Sequence, residues 1–469
     1  MSAPRDRRDV PSDVDTDATP PSAVGVDGFA PGRGRSIGWI VVVSVLTGLV
    51  GSAVLTLVVF AGAREHVITA FALLAYAVGW ALLATLSARF TEQPQRWAIV
   101  PAASMALTGV GIVLFASSNS VMQALGWFWP PLLLVLAVWT TTQVRRHLHS
   151  WSRWLLYPAL AFLVLASVGG AVETLLERSD RSNNAMPGEL VDVGGRQMHI
   201  HCTGSGSPTV VLQPGLGEMS SALSLIAPAV VKNTRVCVYD RAGRGWSDSA
   251  SGAQDGDHIA ADLHTLLRRA RVPGPYVLAG HSFGGLYVLA FAAHYSDEVA
   301  GMVLIDSTPP DAFTSLPDYP GFYSGFRRVG ALSPTVARFG VGRLIAASQY
   351  GDLPRQARTE ARASASTARL ARSSRDEFAT APRSMEQAKA FRSFGGKPLI
   401  VLTASDGNQA GWRAAQDRLA TLSTNSLHRI ISGATHDSLV SDKVDAARVS
   451  QAIADVVRAI RDSAALVGP

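Results

Sequence analysis

The residues best able to do chemistry together are a serine, a carboxylate and a histidine. The segment Tyr276-Val-Leu-Ala-Gly280-His281-Ser282-Phe283-Gly284-Gly285 passes from an apolar β-prone run through Gly-x-Ser-x-Gly into a helical pattern at 286–294. A serine on so sharp a strand-to-helix turn needs small residues two before and two after it, because the backbone closes tightly there. The turn would lift the Ser282 hydroxyl above the sheet and aim the Phe283 N–H at a developing oxyanion. A serine hydroxyl is a weak nucleophile and needs a base, itself held by an acid. Downstream, the β-prone run 398–403 ends in Ala404-Ser405-Asp406-Gly407, and 427–431 leads into Ser432-Gly-Ala-Thr-His436-Asp437. The order serine, acid, histidine predicts a triad of Ser282, Asp406 and His436. Asp306, which ends the run Met302-Val-Leu-Ile-Asp306, is the alternative acid. Asp437 is a poorer rival, since adjacent residues rarely point at each other. His281 is expected to pack under the turn and His294 to be structural. A second oxyanion donor is expected in Pro214-Gly215-Leu216-Gly217-Glu218, with the Leu216 N–H as candidate.

The elements that must position these groups alternate. Short β-rich runs at 190–193, 197–202, 209–213, 236–239, 276–279, 301–305 and 399–403 are separated by helical patterns such as 257–270. Strand-helix alternation predicts a mainly parallel sheet covered on both faces. The rest of the 469-residue chain has a different character. Residues 1–36 are polar, rich in Asp, Arg, Pro, Ser and Gly, and too poor in apolar surface to offset the entropy of ordering. They read as a disordered leader. No acidic or basic residue occurs between Ile37 and Ala63, or between Val67 and Ala88, and a charge-free stretch of 48 residues separates Arg96 from Arg145. A span needs about 20 apolar residues, so residues 37–176 are expected to hold five, at about 37–63, 67–88, 98–116, 124–144 and 154–174. They are apolar all round, which distinguishes them from amphipathic helices of a soluble core. A polar linker is expected at 177–188 and the α/β domain at 189–469.

Arginines cluster in the leader, at 89–96 and at 145–153, whereas the alternate loops carry only Arg64. By the positive-inside rule the leader is cytoplasmic, and after five spans the C-terminal domain lies on the far side. The net charge of +6 comes without any nucleic-acid-binding motif, so nucleic acid is not an expected partner. Two cysteines and no Cys/His spacing leave no zinc site, and no metal is expected.

Three segments carry a family resemblance: Gln213-Pro-Gly-Leu-Gly217, Tyr239-Asp-Arg-Ala-Gly-Arg-Gly-Trp-Ser-Asp248, and the turn around Ser282. Residues from about 190 to 464 resemble the α/β-hydrolase superfamily in its esterase and lipase-like branch. The resemblance implies an eight-stranded, mostly parallel sheet, a helical lid inserted after the sixth strand (308–396), and no cofactor. Its serine excludes the branches with an aspartate nucleophile. The first segment departs from the family's usual His-Gly at this turn. The 239–248 segment resembles a family turn that shapes the loop beside the oxyanion site. The resemblance also sets the strand of Cys202 beside that of Cys237, so a disulfide is a candidate if the domain is extracytoplasmic. Early lid aromatics (Phe313, Tyr319, Phe322, Tyr323, Phe326) fit an acyl pocket or ordinary lid core. From Arg327 to Lys397 there are 14 basic against 5 acidic residues, a solvated face or a surface for anionic headgroups.

The expected activity is hydrolysis of a lipid-like or small acyl ester by an integral membrane protein of the cell membrane. An acyltransferase using the same acyl-enzyme, and a non-catalytic membrane receptor or scaffold, are the alternatives. The expected partners are an ester substrate and membrane lipids.

Overall fold

In a computed structural model, residues 37–149 and 151–467 are described; the expected leader lies outside them. Five helices long and apolar enough to cross a membrane come first. They are α1 (Ile37–Val54, continued to Val59 by one wider turn), α2 (Glu65–Phe90), α3 (Ile99–Phe115), α4 (Asn119–His147) and α5 (Arg153–Asn183). Leu107, Phe115 and Leu165 are 70–75% exposed on them, a surface that water would penalise and acyl chains would not. The Pro130–Pro131 pair does not break α4, and the Ser167 hydroxyl donates to the Pro130 carbonyl at 2.5 Å. Helix α5 runs through most of the expected linker. No proline falls between residues 159 and 186 to stop it, and Glu177 pairs with Arg181 one turn on at 3.3 Å.

Eight strands then form one sheet: β1 (Glu189–Asp192), β2 (Gln197–Thr203), β3 (Thr209–Gln213), β4 (Val236–Tyr239), β5 (Tyr276–His281), β6 (Val299–Ile305), β7 (Leu399–Asp406) and β8 (Ser426–Thr435). Their spatial order is β1-β2-β4-β3-β5-β6-β7-β8, antiparallel at β2 and parallel from β4 onward. Successive residues face opposite layers. Leu278 joins the core with α6 (Gly256–Arg269) and α7 (Phe283–His294), while Val277 and Ala279 join the core under the C-terminal helix Lys443–Arg461. At the antiparallel step Cys202 stands opposite Cys237, and the two form a disulfide.

Between β6 and β7 lies the lid, with α8 (Tyr319–Gly330), α9 (Ser333–Arg338), α10 (Val341–Ala347), α11 (Arg355–Ala365), α12 (Ala368–Ala379) and α13 (Ala381–Ala388). Three of its arginines are held by carboxylates of the membrane helices. Arg338 and Arg372 both pair with Glu65 at the start of α2, and Arg343 bonds Glu173 and Asp180 of α5 at 2.8 and 2.9 Å. The lid is built against the membrane helices.

Candidate active site

Ser282 occupies the left-handed region of the backbone (φ 55°, ψ −123°) between β5 and α7. Strain of this kind persists only where the surroundings enforce it, and it concentrates at functional sites. The glycines show the enforcement. A Cβ on Gly280 would come within 2.6 Å of the Gly284 carbonyl oxygen, and one on Gly284 within 2.5 Å of that of Gln213. The turn is clamped by Ser282 N–H donating to Ile305 O at 3.1 Å and Thr308 N–H donating to Ser282 O at 3.0 Å.

The histidine expected from β8 arrives, but it meets the other carboxylate. His436 Nδ1 lies 2.6 Å from Asp306 Oδ2, with the Asp306 side chain fully buried. Trp412 Nε1 donates to Asp306 Oδ1 at 2.8 Å and the Ala404 N–H at 3.3 Å. Asp406 is exposed and accepts from its neighbour Ser405 at 2.7 Å. The register accounts for which carboxylate lies beside His436. Ile305 is opposite Leu402, so Asp306 ends its strand level with buried Thr403, while β7 runs three residues further and bulges between Ala404 and Asp406. Asp406 overshoots the site. No hydrogen bond joins the Ser282 hydroxyl to the His436 ring among the described residues; in resting enzymes such bonds often tighten only on substrate binding.

Two residues add to this picture. His281 does lie under the turn, and both of its nitrogens are engaged. Nδ1 reaches Glu218 at 3.1–3.2 Å and Nε2 reaches the His436 carbonyl at 3.1 Å. A carboxylate and a carbonyl only accept, so both ring nitrogens must donate and the ring is cationic. Burial works against that charge, but Glu218 and the His436 carbonyl outweigh it and raise the His281 pKa above its ordinary value. Burial likewise works against Glu218, yet His281 and the Gly215 N–H hold its carboxyl down at about 2. Glu218 also accepts from Gly215 N–H at 2.5 Å. The pair thus ties the Leu216 loop to the His436 loop beneath Ser282. Sequence reasoning passed over Glu218, although a carboxylate three residues after Gly215 in a tight turn is a signal for backbone capture.

The Leu216 loop is held from behind by the arginines of the 239–248 segment. Arg241 donates to Pro214 O at 2.6 Å and Gly215 O at 2.7 Å, and Arg244 to Gly215 O at 3.0 Å and Glu218 O at 2.8 Å. Both guanidiniums converge on fully buried Glu377 of α12, at 2.9 and 2.6 Å, and the Tyr287 hydroxyl joins at 3.2 Å. His294 instead pairs with Asp257 at 2.8 Å at the surface.

A model of the alpha/beta hydrolase fold matches residues 208–443, half of the chain. The chain belongs to the α/β-hydrolase family. Among curated members, an uncharacterized protein of Schizosaccharomyces pombe is 34% identical over 225 residues, covering 46% of this chain and 40% of that protein. The 2-hydroxy-6-oxo-2,4-heptadienoate hydrolase of Pseudomonas putida is 33% identical over 130 residues, covering 26% of this α/β hydrolase and 45% of that one. The chain spans 40–47% of the length of the first curated relatives it matches. Among solved structures, the Cif epoxide hydrolase from Acinetobacter nosocomialis superposes with a TM-score of 0.51 at 15% identity, over 61% of this chain and 96% of that one, which speaks for the α/β-hydrolase fold alone.

Proposed function

We propose that this chain is a membrane-embedded serine hydrolase that cleaves carboxylic esters through an acyl-enzyme on Ser282. The observation that carries the reading is the buried Asp306 carboxylate 2.6 Å from His436, beside a serine held at positive φ. His436 Nε2 takes the Ser282 proton as Oγ bonds to the acyl carbon, and Asp306 fixes the tautomer by accepting from Nδ1. The oxyanion sits between the N–H groups of Leu216 and Phe283. The intermediate collapses and the alkoxide leaves with the proton from His436. Water then attacks the acyl-enzyme with the same base, releasing acid and serine.

The five apolar helices support membrane anchoring, and the arginine distribution supports a cytoplasmic N-terminus with the hydrolase domain on the far side. The Cys202–Cys237 disulfide fits an oxidising compartment.

The test is fluorophosphonate labelling and ester turnover of the purified full chain. Wild type should label, Ser282→Ala should not, and Asp306→Asn should lose about 10⁴-fold in kcat while Asp406→Asn retains activity. Equal labelling of wild type and Ser282→Ala would end the proposal.

A further inference from the structure

The lid does more than cover the sheet. Helices α9 and α10 make a hairpin that descends alongside the membrane helices. Thr335 Oγ1 meets Thr69 Oγ1 of α2 at 2.8 Å, and the Phe339 ring stands edge-on to Phe162 of α5 at 6.4 Å. A Cβ on Gly169 would collide with the Phe339 carbonyl, and one on Gly340 would meet the Gly169 carbonyl oxygen at 3.1 Å, so the two backbones touch. Phe162 lies in a charge-free run that ends at Glu173. At 1.5 Å per residue, Gly169, which the hairpin backbone touches, is roughly 6 Å along α5 from that carboxylate, and Phe162, which faces the Phe339 ring, roughly 16 Å, both within a hydrocarbon core roughly 30 Å thick.

Non-helical backbone inside that core is tolerated only where protein or a cavity covers it. The hairpin meets that condition. Its tip is packed on α5, and the Phe339 and Gly340 N–H groups donate to Val336 and Ala337 carbonyls. Arg338 is paired with Glu65, and Arg343 with Glu173. The outward face is apolar, with Leu344 75% and Ile345 55% exposed. Between this hairpin, α4 and α5 lies a cavity of about 490 Å³ lined by Trp127, Trp129, Leu133 and Phe339, and, further along α5, by the charged pair Glu177 and Arg181. The volume is within the roughly 300–1,000 Å³ of ligand sites. Ala368, the first residue of α12, is in its wall. At the other end of that helix, roughly 15 Å away, the Phe378 ring packs 5.9 Å from Phe283, next to Ser282.

We propose that residues 333–347 are a re-entrant membrane hairpin. We further propose that the ester cleaved at Ser282 belongs to a bilayer lipid, which enters from the membrane beside the exposed Leu344 and Ile345 face of this hairpin. The substrate half rests on the serine-hydrolase reading; the hairpin half rests on the five helices crossing a bilayer.

Both native cysteines are bonded, so one introduced thiol can carry an environment-sensitive fluorophore in the full-length protein. In vesicles of phosphatidylglycerol and phosphatidylcholine, a label at Leu344→Cys should be quenched by doxyl-bearing acyl chains as strongly as one at Leu165→Cys on α5. A label at Val444→Cys should be spared. A Leu344 label reached by aqueous iodide and spared by doxyl lipid overturns the hairpin. For the substrate, wild type should release fatty acid from phosphatidylglycerol vesicles. The Leu344→Asn/Ile345→Asn variant should lose at least tenfold on vesicles while hydrolysing p-nitrophenyl acetate normally. Wild type that hydrolyses the acetate but not the vesicle lipid, or a variant losing both equally, overturns the lipid assignment. Ser282→Ala should abolish both activities and leave quenching intact. Absence of Ser282 labelling in wild type therefore fails the hydrolase reading without touching the hairpin result.

Discussion

Helix α12 looks in two directions, and its two ends are held by the same device in opposite polarity. Toward the sheet it supplies a carboxylate, Glu377, to two guanidiniums, Arg241 and Arg244. Toward the membrane it supplies a guanidinium, Arg372, which joins Arg338 on one carboxylate, Glu65. Both carboxylates are fully buried. The arginines differ: those on Glu377 are 0–2% exposed, those on Glu65 14–19%. A buried ion pair stabilises little relative to apolar packing, but breaking one strands charge in proportion to how completely water is excluded. The sheet-side cluster is therefore the rigid anchor and the membrane-side cluster the one able to yield. The lid is fixed to the oxyanion loop and moored more loosely to α2.

The largest effect expected from breaking this comparison is at Glu377. Glu377→Gln leaves two buried cations without a counter-charge and should cost about 3–5 kcal/mol, read as a lowered unfolding midpoint in detergent. Because the same arginines hold the Pro214 and Gly215 carbonyls, ester turnover should fall with it. A midpoint equal to wild type would mean that the cluster does not anchor the lid.

Glu65→Gln should cost less, about 1–3 kcal/mol, since Arg338 keeps Asn119 Oδ1 as an acceptor at 3.3 Å and Arg372 is partly exposed. It should leave turnover of a soluble ester intact, because none of its partners touches the oxyanion loop. A larger loss than at Glu377 would reverse the ranking. The double variant sharpens the comparison further. Arg372 and Glu377 sit on one helix, so once one mooring is lost the other holds a helix already loosened. The combined loss should fall short of the sum of the single losses by about 0.5–2 kcal/mol. Strict additivity would show that the two ends of α12 act independently.

These clusters mark where sequence reasoning stops. Strands β3 and β4 are legible to the residue, because apolar β-branched runs bounded by polar turns leave little choice of limits. So is Ser282, whose glycines announce the turn. Helix positions in the membrane half follow from the absence of charge. The acid is not legible: Asp306 and Asp406 both end strands, and only the pairing of Ile305 with Leu402 shows which one stops level with His436. The lid arginines resist for another reason. Their partners lie as far as 307 residues away, and no local pattern connects Arg372 to Glu65. Glu65 and Glu173 mark helix ends in the sequence, but what they hold becomes visible only when the lid is laid against them.

The smallest effect concerns a third ionic link, the one between Glu218 and His281, which joins the loop held by Glu377 to the loop that carries His436. Its pH dependence follows from two opposite shifts. The Glu218 carboxyl is depressed to about 2, so its contribution is present above its ordinary value of 4.5 and is lost as pH falls through about 2. His281 is raised above 6.5, so its contribution is complete below 6.5 and is lost as pH rises through the elevated pKa. Asp306 and the His436 carbonyl face the same ring and favour its charged form. The link is thus whole from about pH 4.5 to 6.5 and fades on both sides. His281→Asn should flatten the difference in unfolding midpoint between pH 6 and pH 9 relative to wild type. It should do so without removing fluorophosphonate labelling of Ser282, since Asn retains a donor toward Glu218. If the midpoints of wild type and His281→Asn run parallel across that range, the ring does not change charge there. The cation inferred from its two acceptors would then have to be abandoned.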